Sequence, residues 1–215
     1  MKKGLVVLVL SVFLAGGVFA SPFQPFQRSA GGGFLFDFGV NVLNVDNPSY
    51  PDDDDYFNVI NMGFGAWGFF DITFAELSIA VMGGPSSLGF YLSSISGSFV
   101  ALDFSLLGKL PFSVGRYSAF FPLFGIGYNL VLSATYDGNS FNSPSHLSTF
   151  RLQFGLGADF GLSETMFIRT SLLGAYRFAP RYLNDIADIV ERLHDASTDT
   201  YGFGVTFKLG IGFRL

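Results

Sequence analysis

The C-terminal segment constrains the fold more than any other. From Tyr201 onward, Tyr201, Phe203, Val205, Phe207, Leu209, Ile211, Phe213 and Leu215 share one parity, and Gly202, Gly204, Thr206, Lys208, Gly210, Gly212 and Arg214 share the other. Successive side chains of a strand point to opposite faces, so this strand has one wholly apolar face and one small, polar or basic face. Segment 148–161 repeats the pattern, with Phe150, Leu152, Phe154, Leu156, Ala158 and Phe160 against Arg151, Gln153, Gly155, Gly157 and Asp159. So does 34–45, where Phe34, Phe36, Phe38, Val40 and Val42 oppose Asp37, Gly39 and Asn41. The same alternation, less cleanly in places, predicts strands over 56–67, 71–82, 96–110, 119–136 and 166–178, for a total of eight.

Composition decides where the apolar face points. Charged residues are 13% of the 215 and aromatic residues 18%, with 28 Phe and 27 Gly. Gly and aromatic residues are poor helix formers, and no apolar run of about 18 residues follows the N-terminal segment. A hydrophobic chain without a membrane helix has one other way to pair its backbone in hydrocarbon, a closed β-barrel. The expected fold is all-β: an eight-stranded antiparallel up-and-down transmembrane barrel, apolar outside and polar inside. A secreted lipocalin-like barrel needs the reverse polarity, which Arg151, Asp159, Arg169 and Lys208 oppose.

The chain divides by composition into three parts. Lys2 and Lys3, an apolar stretch from Leu5 to Leu14 and a small-residue exit ending at Ala20 read as a cleaved signal peptide over 1–20. Residues 21–33 read as a periplasmic lead-in and 34–215 as the barrel. Long links are expected at 46–55, 83–95, 137–147 and 179–199. Short ones are expected near 68–70 and 162–165, with one of intermediate length near 111–118. In such barrels the long links face outward and the short ones the periplasm.

In architecture the chain resembles the small outer-membrane barrels of the OmpA membrane domain, OmpX and OmpW class. Its final strand resembles the signal read by the barrel-assembly machinery, although Leu215 stands where an aromatic is usual and Phe213 lies two before it. The segment Pro122-Leu123-Phe124-Gly125-Ile126-Gly127-Tyr128 is also similar to small spirochaetal barrels. The resemblance implies the outer membrane of a diderm bacterium, with outer-membrane lipids and the assembly machinery as partners.

Candidate functional residues fall in two places. Asp37, Glu76, Asp103, Asp159, Arg151, Arg169, Arg177 and Lys208 sit at inward parity and form an expected ionic network, because unpaired buried charge is costly. The Gly-x-Gly pairs 63/65, 125/127, 155/157, 202/204 and 210/212 lie inside strands. They lack the strand-to-helix context of a dinucleotide site, so they read as room for long side chains across the lumen.

Outside, Asp52, Asp53, Asp54 and Asp55 form the one charge run, and Leu183, Ile186, Ala187, Val190 and Leu193 recur at helical spacing, predicting a short helix in the last external loop. These two loops are the expected interaction surface for an extracellular partner that the sequence does not identify. His146-Leu147-Ser148 has the His-x-Ser spacing of outer-membrane lipid A deacylases, but no Glu follows in that strand to orient the base. With two His and no Cys, no cofactor, metal site or catalytic set is expected. The net charge of −5 offers no footprint for nucleic acid. The expectation is a non-enzymatic structural or surface-binding protein, with a narrow, porin-like channel for small solutes as the alternative and a lipid-modifying enzyme third.

Overall fold

The computed structural model describes residues 28–46, 55–90, 93–114, 118–178, 180–183, 185 and 197–215. The expected signal peptide, Asp52 to Asp54, and Ile186, Ala187, Val190 and Leu193 lie outside these residues. Eight long strands are present: β1 Arg28–Asp46, β2 Asp55–Ile72, β3 Ala75–Phe90, β4 Ser93–Lys109, β5 Ser118–Tyr136, β6 Thr149–Gly161, β7 Met166–Arg177 and β8 Ser197–Arg214. Each pairs antiparallel with its sequence neighbours, and β8 returns to β1 in continuous register from Ser29↔Arg214 to Asp46↔Ser197. The sheet is therefore a closed up-and-down barrel. Closure pairs the edge N–H and C=O groups, which hydrocarbon could not solvate.

Face polarity follows the alternation. Phe34 is 78% exposed, and Phe64, Leu77, Phe124, Phe154, Leu172, Phe203 and Phe213 are exposed with it. Along β8 the apolar face runs from Phe203 to Phe213. That is about 33 Å of strand, or about 25 Å along the axis at a tilt of about 40°. This matches the height of a lipid-facing band. At its outer end Tyr201, Phe203, Tyr176, Phe178 and Phe150 form a chain of neighbouring rings with centroids 5.3–6.0 Å apart, as in the aromatic girdles of membrane barrels.

Three boundaries differ from expectation. The link expected at 83–95 is mostly wall: β3 and β4 stay paired from Ala75↔Gly108 to Phe90↔Ser93. Alternation fades there because nothing apolar is needed above the lipid, while backbone pairing continues. The turn expected near 68–70 lies at Thr73 and Phe74, between β2 and β3. There the Asp71 carboxylate accepts a hydrogen bond from the Thr73 N–H at 3.0 Å. β1 begins at Arg28, and Gly31, Gly32 and Gly33, which have no side chains to alternate, pair with both neighbours.

The link after β4 folds back as a short strand, Phe112–Val114, on the start of β5. On the outer side β5 continues through a tight Asp137-Gly138 turn, both residues at positive φ, into Asn139–Ser140. This is the Asp-Gly chemistry of a two-residue hairpin.

Candidate functional site

Buried charged side chains meet across the lumen. Its buried acids are Asp37, Asp71, Glu76, Asp103 and Asp159, and its buried bases are Lys109, Arg151, Arg169, Arg177 and Lys208, five of each among the described residues. Inward parity brings them together, and the ring of strands sets who meets whom.

Near the barrel's middle, Asp37 of β1 accepts hydrogen bonds from Arg177 of β7 at 2.6 Å, Thr206 of β8 at 2.5 Å and Arg151 of β6 at 3.5 Å. Arg151 also donates to Asp103 of β4, whose other oxygen takes the Ser105 hydroxyl at 3.3 Å. Towards the short turns, Arg169 of β7 holds three carboxylates. Its Nε and Nη2 grip Asp159 at 2.6 and 2.5 Å, Nη1 donates to Glu76 at 2.8 Å, and Nη2 donates to Asp71 at 2.8 Å. Lys109 donates to the same Asp71 oxygen. The rings of Phe69, Phe121 and Phe167 surround the Arg169 guanidinium with centroids 4.3–5.2 Å away.

The charges balance over the lumen as a whole. The middle cluster is neutral. The lower cluster carries one more acid than base, and the remaining cation, Lys208, offsets it from between the two. Lys208 has no carboxylate within 4.0 Å among the described residues. Its ammonium donates to the Ser78 hydroxyl at 3.0 Å and lies 5.1 Å from the Trp67 ring centroid. Two glycines make the middle cluster possible. A Cβ added at Gly39 or Gly204 would overlap the Arg177 guanidinium. At Gly157 and Gly212 the space is taken instead by the Phe121 and Phe167 rings, so the room left by glycine serves aromatic as well as basic side chains.

Thus Asp37, Glu76, Asp103, Asp159, Arg151, Arg169, Arg177 and Lys208 all lie buried in the lumen, joined by Asp71 and Lys109, which the sequence reading missed. Both were findable. Asp71 continues the inward parity of Trp67 and Phe69, and Lys109 that of Ser105 and Leu107. The outer part of the lumen was also unforeseen. It carries a buried apolar cluster that includes Met82, Phe99, Ala101, Val131, Ala134 and Leu147.

At the outer mouth, Asp55 opens β2 opposite Val45. A helical turn forms at Arg181–Leu183, and Leu183 is buried there beside Val59, Leu88 and Ile95. Tyr136 points into the lumen, its hydroxyl 2.8 Å from that of Ser86. Edge-to-face contacts then run from Tyr136 to Phe141 to Tyr182, at 6.1 and 5.3 Å. His146 lies in the 3-10 turn Pro144–Leu147 with Nδ1 3.8 Å from Asp185, and the Ser148 hydroxyl accepts the Val131 N–H at 3.0 Å.

No family model matches the chain, and neither does any curated protein. Among solved structures the chain is similar to Ail, the attachment invasion locus protein of Yersinia pestis, in complex with the heparin analogue sucrose octasulfate. That likeness has 16% identity over 88% of this chain and 99% of that one, with a TM-score of 0.38. Another structure of Ail matches at 14% identity over 88% and 99%, with a TM-score of 0.33. The outer membrane protease OmpT from Escherichia coli matches at 7% identity over 90% and 98%, with a TM-score of 0.45. One of these proteins is a protease and the other is named for attachment, so they point to no single activity. The class is defined by the chain's own strand ring and face polarity: a small eight-stranded barrel of the outer-membrane kind.

Proposed function

We propose that this chain is an integral outer-membrane protein whose barrel is a closed, structural pedestal and whose activity is binding at its external end. The observation that carries the reading is the balanced lumen. Five buried acids and five buried bases, with a buried apolar cluster above them, support a closed interior. Eight strands enclose an interior that side chains fill, whereas aqueous channels belong to much wider barrels. What remains is the outer mouth, with Asp52 to Asp55 on one link and Leu183, Ile186, Val190 and Leu193 on another. Four adjacent carboxylates disfavour a sulfated polyanion and favour a basic partner surface.

The signal peptide over 1–20 delivers the chain to the periplasm, and the barrel-assembly machinery inserts it in this reading. The purified barrel in planar bilayers is expected to give no steady conductance. Deletion of 47–54 or 186–196 is expected to leave heat-modifiable gel mobility intact and to abolish surface binding. Steady single-channel steps altered by Arg151→Ala and indifferent to loop deletion would refute it. A narrow polar path is the second reading, favoured by buried polar atoms without a protein partner: both amide atoms of Gln153, the Ser171 hydroxyl and Glu76 Oε1. The same recording distinguishes the two.

A further inference from the structure

The outward face is not uniform. Around most of the ring large side chains stand out from the wall, but between β1 and β4, near the short turns, they part around a groove of about 440 Å³. Its floor is Ala30 and Gly68, and its walls are Phe70, Leu77, Ile79 and Phe104. All four wall residues are exposed.

The floor is bare for no internal reason. A Cβ added at Gly68 would meet only the Gly31 carbonyl oxygen, at an ordinary 3.6 Å. A larger side chain there would grow into the groove. Most glycines of the wall differ, since an added Cβ at Gly33, Gly65 or Gly125 would overlap the neighbouring strand.

The groove also has a charged end. Outward positions on β1 run Arg28, Ala30, Gly32, Phe34, and Arg28 is exposed opposite Ile72 at the strand's first residue. Two residues of strand separate it from Ala30, about 7 Å. Its guanidinium has no side-chain partner among the described residues. An exposed cation two strand residues from the floor of a concave apolar groove matches a phosphate carried next to one hydrocarbon chain.

We propose that this groove seats one acyl chain of a glycerophospholipid from the periplasmic leaflet, with its phosphate held by Arg28. The proposal rests on the lipid-facing reading of the outward band and adds to it a single preferred lipid position. A second copy of the chain would present another convex wall, which cannot enter a groove walled by Phe70 and Phe104.

The test uses the full folded barrel in a mild detergent, titrated with phosphatidylglycerol and, separately, with uncharged diacylglycerol, and read by native mass spectrometry. The wild-type barrel should retain one phosphatidylglycerol at concentrations where diacylglycerol is lost. Gly68→Phe should abolish that one-lipid species, and Arg28→Gln should weaken it about fivefold, as expected for losing one cation near a phosphate. Heat-modifiable mobility and Trp67 fluorescence report that each variant is folded. If Gly68→Phe fails to fold, Arg28→Gln, which touches no packed group, decides alone.

Equal retention by the wild type and both variants, retention of diacylglycerol as strongly as phosphatidylglycerol, or a dimer lost on Gly68→Phe would each overturn the proposal. A barrel that fractionates with membranes yet shows no one-lipid species would refute the seat and leave the lipid-facing band standing. A barrel recovered as a soluble protein would refute both.

Discussion

Arg169→Met should be the most damaging single change in the lumen. The substitution keeps a long side chain among Phe69, Phe121 and Phe167 but removes four hydrogen bonds to three buried carboxylates. Lys109 is then the one cation left in ion-pair contact with the cluster of Asp71, Glu76 and Asp159 among the described residues. Removing one partner of a buried ion pair costs about 3–5 kcal/mol because the other charge is left uncompensated. With Glu76 and Asp159 both orphaned and Asp71 left to Lys109, the loss belongs near the top, at about 4–5 kcal/mol.

Arg151→Met should cost less, about 3 kcal/mol, since Asp37 keeps Arg177 and Thr206. Adding Asp159→Asn to Arg169→Met should recover about 1–2 kcal/mol, because the two sites share one interaction and their effects do not add. Urea titration in lipid vesicles reads all three. The single Trp67 is 4% exposed and stacked on Phe69 at 4.9 Å, so it is a native probe of lumen packing. A loss below about 1 kcal/mol for Arg169→Met, the size seen for solvated pairs, would refute the dry-lumen argument.

Three further outcomes are expected. Leu172→Arg, midway along the outward band opposite Phe207, should cost about 2–4 kcal/mol in vesicles, whereas Phe213→Arg at its edge should cost about 0–1 kcal/mol; equal costs would remove the lipid-facing assignment. Gly204→Val drives a side chain into the Arg177 guanidinium and should cost about 1–3 kcal/mol by overpacking, checked by the urea midpoint. Tyr136→Ala should free the last loop from its ring contacts and speed trypsin cleavage after Arg181, whose side chain is 73% exposed, while Tyr136→Phe should leave cleavage slow; an unchanged rate in the Ala variant would show that the ring contacts do not hold the loop.

The barrel was legible because lipid and lumen impose opposite chemistry on adjacent residues, so period two survives wherever both faces are under constraint. β6 and β8 show this best. Where one constraint lapses the signal fades. The Ser86-Ser87-Leu88-Gly89 stretch of β3 rises above the lipid, and its sequence predicts a loop. Asp71 was lost for a related reason: Phe69 and Phe70 put an aromatic on both faces, which hid the strand's last turn. The inward charges could be named from parity, but not their pairings. Which acid meets Arg169 depends on how eight strands stagger around the ring, and that is a long-range property. Lys109 lies in β4, whose other buried inward charge is Asp103.

The outer lumen was illegible for a sharper reason. Leu130, Val131 and Leu132 are apolar on both parities, and there the β4–β5 register slips between Val100 and Ala101, leaving Leu132 as an extra residue in β5. Before the slip, Phe124, Ile126 and Tyr128 face out. After it, Ala134 and Tyr136, of the same parity, face in. A bulge that inverts a strand's faces leaves no mark in composition. Yet it turns Tyr136 toward Ser86 and begins the ring contacts that reach Tyr182. Without the extra residue Tyr136 would point outward and the last loop would lose its tie to the lumen. The inward turn of Tyr136 and its ring contacts out to Tyr182 therefore depend on one added residue in one strand.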